Sequence, residues 1–142
     1  MQSHATPQLF ESAVRVSPAD IDGQDHVNNV VYLRWAQEVA TAHWESLAPP
    51  EAQAALGWVV LRHEIDYKAA AILDDELLVR TWVGALSGIS FERFTEIVRK
   101  TDRRLLAQVR TLWVPIDPRS GKPKRVSAEV RGIFAIAAGA DT

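Results

Sequence analysis

The chain has 142 residues, 47% of them hydrophobic and 24% charged, which is enough to bury a core as one domain spanning 1–142. The formal charge of −2 offers no broad field for nucleic acid or an acidic membrane surface. Cysteine is absent, so disulfides, thiolate nucleophiles and zinc–thiolate sites are excluded.

Residues 1–8 read as a loose terminus, and MQSHATPQLFES lacks the apolar centre of a signal peptide. No apolar run reaches the length of a membrane span, so a soluble, cytoplasmic protein is expected. LFESAVRV (9–16) sets Phe10, Ser12, Val14 and Val16 on one side, the pattern of a half-buried strand. A polar stretch, ADIDGQDHVNN (19–29), comes next. Behind it Val30, Leu33, Ala36, Ala40, Trp44 and Leu47 recur at helical spacing, predicting one long helix of roughly 25–30 Å. Asn28 or Asn29 is placed to cap it, and Pro49-Pro50 to end it.

The remainder reads as β structure until near the C-terminus. In WVVLRHEIDYK (58–68), Val59, Leu61, His63, Ile65 and Tyr67 are expected to share one face. Strands 75–86 and 89–100 flank Ser87-Gly88, a two-residue hairpin signal, and a strand over 104–117 follows. The basic loop PRSGKPKR then leads to a short helix capped by Ser127. The order β-α-β-β-β-β-α implies an α+β domain, a curved antiparallel sheet wrapped around one long helix.

The polar stretch invites several chemistries. As a calcium loop beginning at Asp20 it fails, because Asp25 stands where glycine is needed and Val31 where glutamate is needed. His4, His26, His43 and His63 form no zinc-binding pair, so no metal is expected. No serine-hydrolase elbow, dinucleotide fingerprint or phosphate loop is present. Two readings remain: a solvated helix cap, or a carboxylate set beside the free amides and positive dipole end of a helix, where an activated carbonyl could be attacked.

ADIDGQDHVNNVVYLRW resembles the motif D-x-D-x-x-G-H-V-N-N-x-x-Y of hotdog-fold thioesterases in the 4-hydroxybenzoyl-CoA thioesterase-like family. HEIDYKAAAILDDELLVRTWV, SGISFERFTEIV and LLAQVRTLWVPIDPRSGKPKRV resemble the family's later strands, so the likeness covers residues 10–135. It implies a hotdog fold and an acyl-thioester hydrolase, most simply an acyl-CoA thioesterase, that needs no metal or organic cofactor beyond the CoA moiety of its substrate. Asp22 falls on the catalytic carboxylate, as general base or nucleophile. Asn29 falls near the amide that polarises the carbonyl, with His26 and Asn28 holding the loop and Tyr32 one helical turn further on. Ser90, and Trp58 at the entry to the second strand, are candidate substrate contacts. The family's phosphate-binding basic residues are missing before Ser90, which leaves Arg119, Lys122, Lys124 and Arg125 as candidates for CoA phosphates. If those do not serve, an acyl carrier protein or a non-nucleotide thioester becomes the better donor. Glycines usual in the family are replaced by Asp25 and Asp74, and Ala70 stands in place of a proline. The likeness also implies a homodimer or homotetramer with second-strand edges joined and sites at the subunit boundary. Two rivals share the fold: a non-catalytic domain binding an acyl or aromatic ligand, and a hydratase or dehydratase using His26 or His63.

Overall fold

The computed structural model describes residues 9–87 and 89–138; the expected loose terminus and Gly88 of the hairpin lie outside them. The elements are β1 (Phe10–Arg15), a 3₁₀ turn (Pro18–Asp20), α1 (Asn29–Leu47), α2 (Pro50–Ala55), β2 (Gly57–Tyr67), β3 (Glu76–Ser87), β4 (Ser90–Arg99), β5 (Leu105–Ile116) and α3 (Ala128–Ala138). The expected strands and two helices are present within a residue or so of their bounds. Helix α2 was not expected. Pro50 occupies its first turn, where the missing N–H costs nothing, so the diproline that ends α1 also starts a helix.

The five strands form one antiparallel sheet in the order β1-β3-β4-β5-β2. Strands β1 and β2 are its two edges. The inner face holds α1, whose N-terminal half buries Val31, Tyr32, Trp35 and Val39 with Val16, Leu77, Val79, Ile97 and Leu106. A second cluster gathers Trp44, Ala48, Ala52, Leu56, Val83, Phe91, Val130 and Phe134, so α2 and α3 close the other end. Two predicted faces need correction. Val30 is 66% exposed, and the buried face of α1 is wider than the predicted stripe and turned toward Tyr32, Trp35, Val39 and His43, because the sheet curves around the helix. In β2, Val60 pairs with Trp113 while Arg62 pairs with Leu112, so Leu61 is the extra residue of a bulge. The bulge reverses the alternation: the half-buried residues are Trp58 and Val60 before it and His63 and Ile65 after it, while Val59 and Leu61 stand exposed.

Gly84 lies in the irregular stretch between Val83 and Leu86, where a Cβ would come within 2.7 Å of the Phe94 ring and 2.9 Å of the Glu92 carboxylate. No side chain fits there without moving Phe94. No helix among the described residues is long and apolar enough to cross a membrane.

Candidate active site

The polar stretch is tied down at both ends. Asp20 is 4% exposed and fully engaged: one oxygen accepts from Ser17 N–H (3.0 Å) and hydroxyl (3.1 Å), the other from Arg34 Nη2 (3.0 Å). Burial alone would raise its pKa, but the Ser17 bonds and the Arg34 cation outweigh it and hold the carboxyl below the ordinary value. Its carbonyl accepts from Asn28 N–H at 2.8 Å, and Val27 N–H reaches Ala71 O at 3.0 Å. The N–H of Ala71, itself fully buried, donates to the Tyr32 hydroxyl at 2.9 Å. Tyr32 thus has a structural partner as well as a place in the wall of the cleft. Its ring packs edge-on against Trp35 and Tyr67.

Asp22 is arranged differently from Asp20. Its Oδ1 accepts from Gln24 N–H (2.8 Å) and, at longer range, from His26 N–H (3.4 Å), while its own N–H donates to His26 O (2.8 Å). Among the described residues nothing bonds to its Oδ2. The carboxylate is therefore oriented through one oxygen and open through the other. Asn28 caps α1, with Oδ1 accepting from Val30 N–H (3.1 Å) and its carbonyl from Val31 N–H (2.9 Å). Among the described residues the N–H of Asn29 has no acceptor. That leaves one outward donor at the positive end of a 19-residue helix.

Asp22, His26, Asn28, Asn29 and Tyr32 line a single cleft of about 410 Å³ together with Gln24, Tyr67 and Lys68. The last three were not among the predicted site residues. Tyr67 donates from its hydroxyl to Asn29 O at 2.9 Å, which fixes the first turn of α1. Among the described residues Lys68 is the only lysine or arginine in this wall. Asp25, on the replaced glycine, has φ 63°, and Asp74, on the other, has φ 69°. Both are left-handed positions that glycine fills without strain and that Asp tolerates better than most residues.

Other candidates are not brought to this cleft within one protomer. Trp58 lines a separate cavity near the far end of α1, and the basic loop packs by α2, where Lys124 Nζ donates to Ala55 O at 3.2 Å. From Gly57 to Tyr67 β2 spans roughly 33 Å at 3.3 Å per residue, so Trp58 and Arg119, Lys122, Lys124 and Arg125 lie at the opposite end of that strand. Ser90, at the start of β4, is also outside the cleft lining. His63 sits between Thr111 Oγ1 (2.9 Å) and Gln37 Nε2 (3.3 Å), outside the cleft, so a hydratase here would depend on His26.

The profile of the thioesterase-like superfamily matches residues 16–134. The chain belongs to that superfamily. The acyl-CoA thioester hydrolase YbgC of Escherichia coli is 28% identical over 131 residues, covering 89% of this chain and 96% of that protein. The long-chain acyl-CoA thioesterase FadM of the same species is 25% identical over 127 residues, covering 86% and 94%. The fold agrees with Slr0204, a 1,4-dihydroxy-2-naphthoyl-CoA thioesterase from Synechocystis (TM-score 0.77, 23% identity, 90% and 96% covered). It agrees also with the dynemicin thioesterase (TM-score 0.82, 22% identity, 92% and 98% covered). The chain is a thioesterase by family, and the helix-in-sheet architecture is the hotdog fold that its sequence resembles.

Proposed function

We propose that the chain hydrolyses acyl-CoA thioesters at the cleft where Asp22 Oδ2 and the Asn29 N–H are both left open. That pairing of a free carboxylate oxygen with a free helix-start amide carries the reading. The thioester carbonyl oxygen accepts from Asn29 N–H, and the developing oxyanion gains from the helix dipole; one such donor is worth about 3–4 kcal/mol of barrier. Asp22 takes a proton from water as the water oxygen attacks the carbonyl carbon. The tetrahedral intermediate collapses with cleavage of the C–S bond, and the thiolate leaves to be protonated. Attack by Asp22 itself would give an anhydride that water then opens, with the same net products. His26 holds the loop through its backbone bonds with Asp22, and its side chain lies at the rim for a substrate contact. The mechanism needs no metal or organic cofactor, and we read it as a cytoplasmic enzyme.

The site is completed by a second copy. β2 is an edge strand with Val59 and Leu61 exposed, a liability if left uncovered. Antiparallel pairing of two β2 edges sets the Gly57 end of one chain against the Tyr67 end of the other. Trp58 and the loop bearing Arg119, Lys122, Lys124 and Arg125 would then approach the cleft from the partner subunit, where the basic groups can meet CoA phosphates beside Lys68. Dimers paired in this way can join further into a tetramer. Release of free thiol from short, long and aromatic acyl-CoAs tests the substrate. Hydrolysis of at least one class is expected, falling with Leu61→Asp as light scattering shows the dimer dissociate. Hydrolysis only of carrier-protein thioesters would replace CoA as the donor, and no hydrolysis of either would favour a binding domain.

A further inference from the structure

A second cavity, of about 270 Å³, lies between the C-terminal half of α1, the sheet and α3. It shares no lining residue with the Asp22 cleft. Its wall includes Trp44, Trp58, Phe91, Trp113 and Phe134, a nest of flat apolar rings, several of them edge-on or stacked on one another. Into this wall β4 sets Arg93, only 6% exposed.

Arg93 is a buried cation with, among the described residues, no carboxylate paired to it. Among the described residues its side chain bonds only through Nη1, to His43 Nδ1 (3.0 Å) and Thr81 Oγ1 (3.0 Å). Arginine can only donate, so His43 Nδ1 must accept and its proton sits on Nε2. Burial and the neighbouring cation hold His43 at a pKa of about 4, so it is neutral near pH 7 and able to accept from Arg93, and an imidazole carries no negative charge to balance the guanidinium. Burial lowers Arg93 itself to about 10, which leaves it cationic near neutrality. The one carboxylate in the wall, Glu92, is committed to Arg110, which also meets Glu64. Among the described residues the indole N–H groups of Trp58 and Trp113, both in this wall, and the Nε2–H of His43 behind it are buried without an acceptor. A cation and two donors without acceptors are an uncommon set of groups to bury around an empty space.

We infer that this cavity is a binding site for an organic carboxylate with a flat apolar body of about one or two rings. The carboxylate would accept from the free side of the Arg93 guanidinium, with the indole N–H groups within its surroundings, and the ring would lie among the aromatic side chains. Such a group can arrive as a free acid or, in the β2-paired dimer proposed above, as the carboxyl-bearing far end of an acyl thioester held in the partner subunit's cleft. Within one protomer the stretch of α1 from Asn29 to His43 sets the two sites roughly 21 Å apart at 1.5 Å per residue.

The test is titration of the full chain with benzoate and 2-naphthoate beside their neutral amides, followed by tryptophan fluorescence and calorimetry. Saturable binding of the acids is expected, at least tenfold tighter than the amides, kept in Asp22→Asn and lost in both Arg93→Met and Ala40→Leu. Ala40→Leu fills the space and leaves the charge in place, so it reports even if Arg93→Met folds poorly. Absence of saturable binding, equal binding of acid and amide, or binding unchanged in Ala40→Leu would overturn the inference. The titration needs no turnover and so stands or falls separately from the thioesterase reading. Hydrolysis assays then separate the two sources: a KM at least tenfold lower for terephthaloyl-CoA than for benzoyl-CoA, lost in Arg93→Met, assigns the cavity to an acyl end. Equal KM values with non-competitive benzoate assign it to a free acid.

Discussion

Tyr32→Phe separates packing from chemistry at the one aromatic residue shared by the sequence motif and the cleft. The ring of Tyr32 is 2% exposed, and Phe would keep its contacts with Trp35 and Tyr67. What the substitution removes is the acceptor for Ala71 N–H, 2.9 Å away at a residue with no solvent access. A buried donor left without a partner costs about 1–3 kcal/mol. At roughly 3–4 °C per kcal/mol for a domain of this size, the melting temperature should fall by about 3–12 °C. Ala71 also holds Val27 through its carbonyl, so the loop carrying Asp22 loses some of its support. Turnover should then drop by no more than about tenfold, a fraction of the barrier contribution of a reacting group. Thermal melts followed by circular dichroism, with thiol release measured on the same samples, give both numbers. A melting temperature unchanged within 1 °C, with turnover down by orders of magnitude, would refute the structural role and make the hydroxyl a participant in the reaction.

Acid should destabilise the protein in two windows. The folded pKa of His43 is about 4 against 6.5 unfolded, so the unfolded chain takes up this proton first and stability falls as pH drops from 6.5 to 4. The separation is worth about 3 kcal/mol, and urea midpoints at pH 7 and pH 4.5 should show most of it. His43→Gln should flatten that slope, and a slope unaltered by the substitution would show that other groups cause it. Asp20, with its pKa depressed, contributes stability above its unfolded value near 3.8 that is lost as pH falls through the folded value. Asp20→Asn should therefore weaken the protein at pH 7 and matter less as pH falls toward 2. Asp25→Gly should remove left-handed strain and raise stability by about 0.5–1 kcal/mol, less whatever glycine gains in the unfolded chain. A lower melting temperature would show that the Asp25 side chain holds the loop.

The succession of elements along the chain and the long helix were legible because alternation and helical spacing are written locally, in stretches such as Phe10–Val16 and Ala36–Trp44; the order of the strands in the sheet was not. The faces were less so. One inserted residue, Leu61, inverts the alternation at the start of β2, and nothing in WVVLRHE marks it as an insertion. The predicted stripe of α1 captured Ala36, Ala40 and Trp44 but missed Tyr32, Trp35 and Val39, since how far the sheet wraps around the helix is not written in the spacing of the helix itself. The motif brought Asp22, His26, Asn28, Asn29 and Tyr32 to attention, and the fold gathers them in one cleft. Why Asp22 and not Asp20 is the open carboxylate depends on Arg34, fourteen residues on, and on Ser17. Tyr67 and Lys68 reach the cleft only because the end of β2 meets the start of α1. Such a meeting leaves no short-range trace in a sequence. Asp25 and Asp74 did leave one: each stands where a glycine is usual, and each has a positive φ.

The most direct measurement is thiol release by Asp22→Asn beside the unaltered protein, on the best substrate of an acyl-CoA panel. Asn keeps an Oδ1 that can accept from Gln24 and His26, so the loop and the melting temperature should be preserved. Loss of the open carboxylate oxygen should lower kcat by roughly 10²–10⁴-fold. A kcat within threefold of the unaltered protein would contradict the account and remove Asp22 from the chemistry.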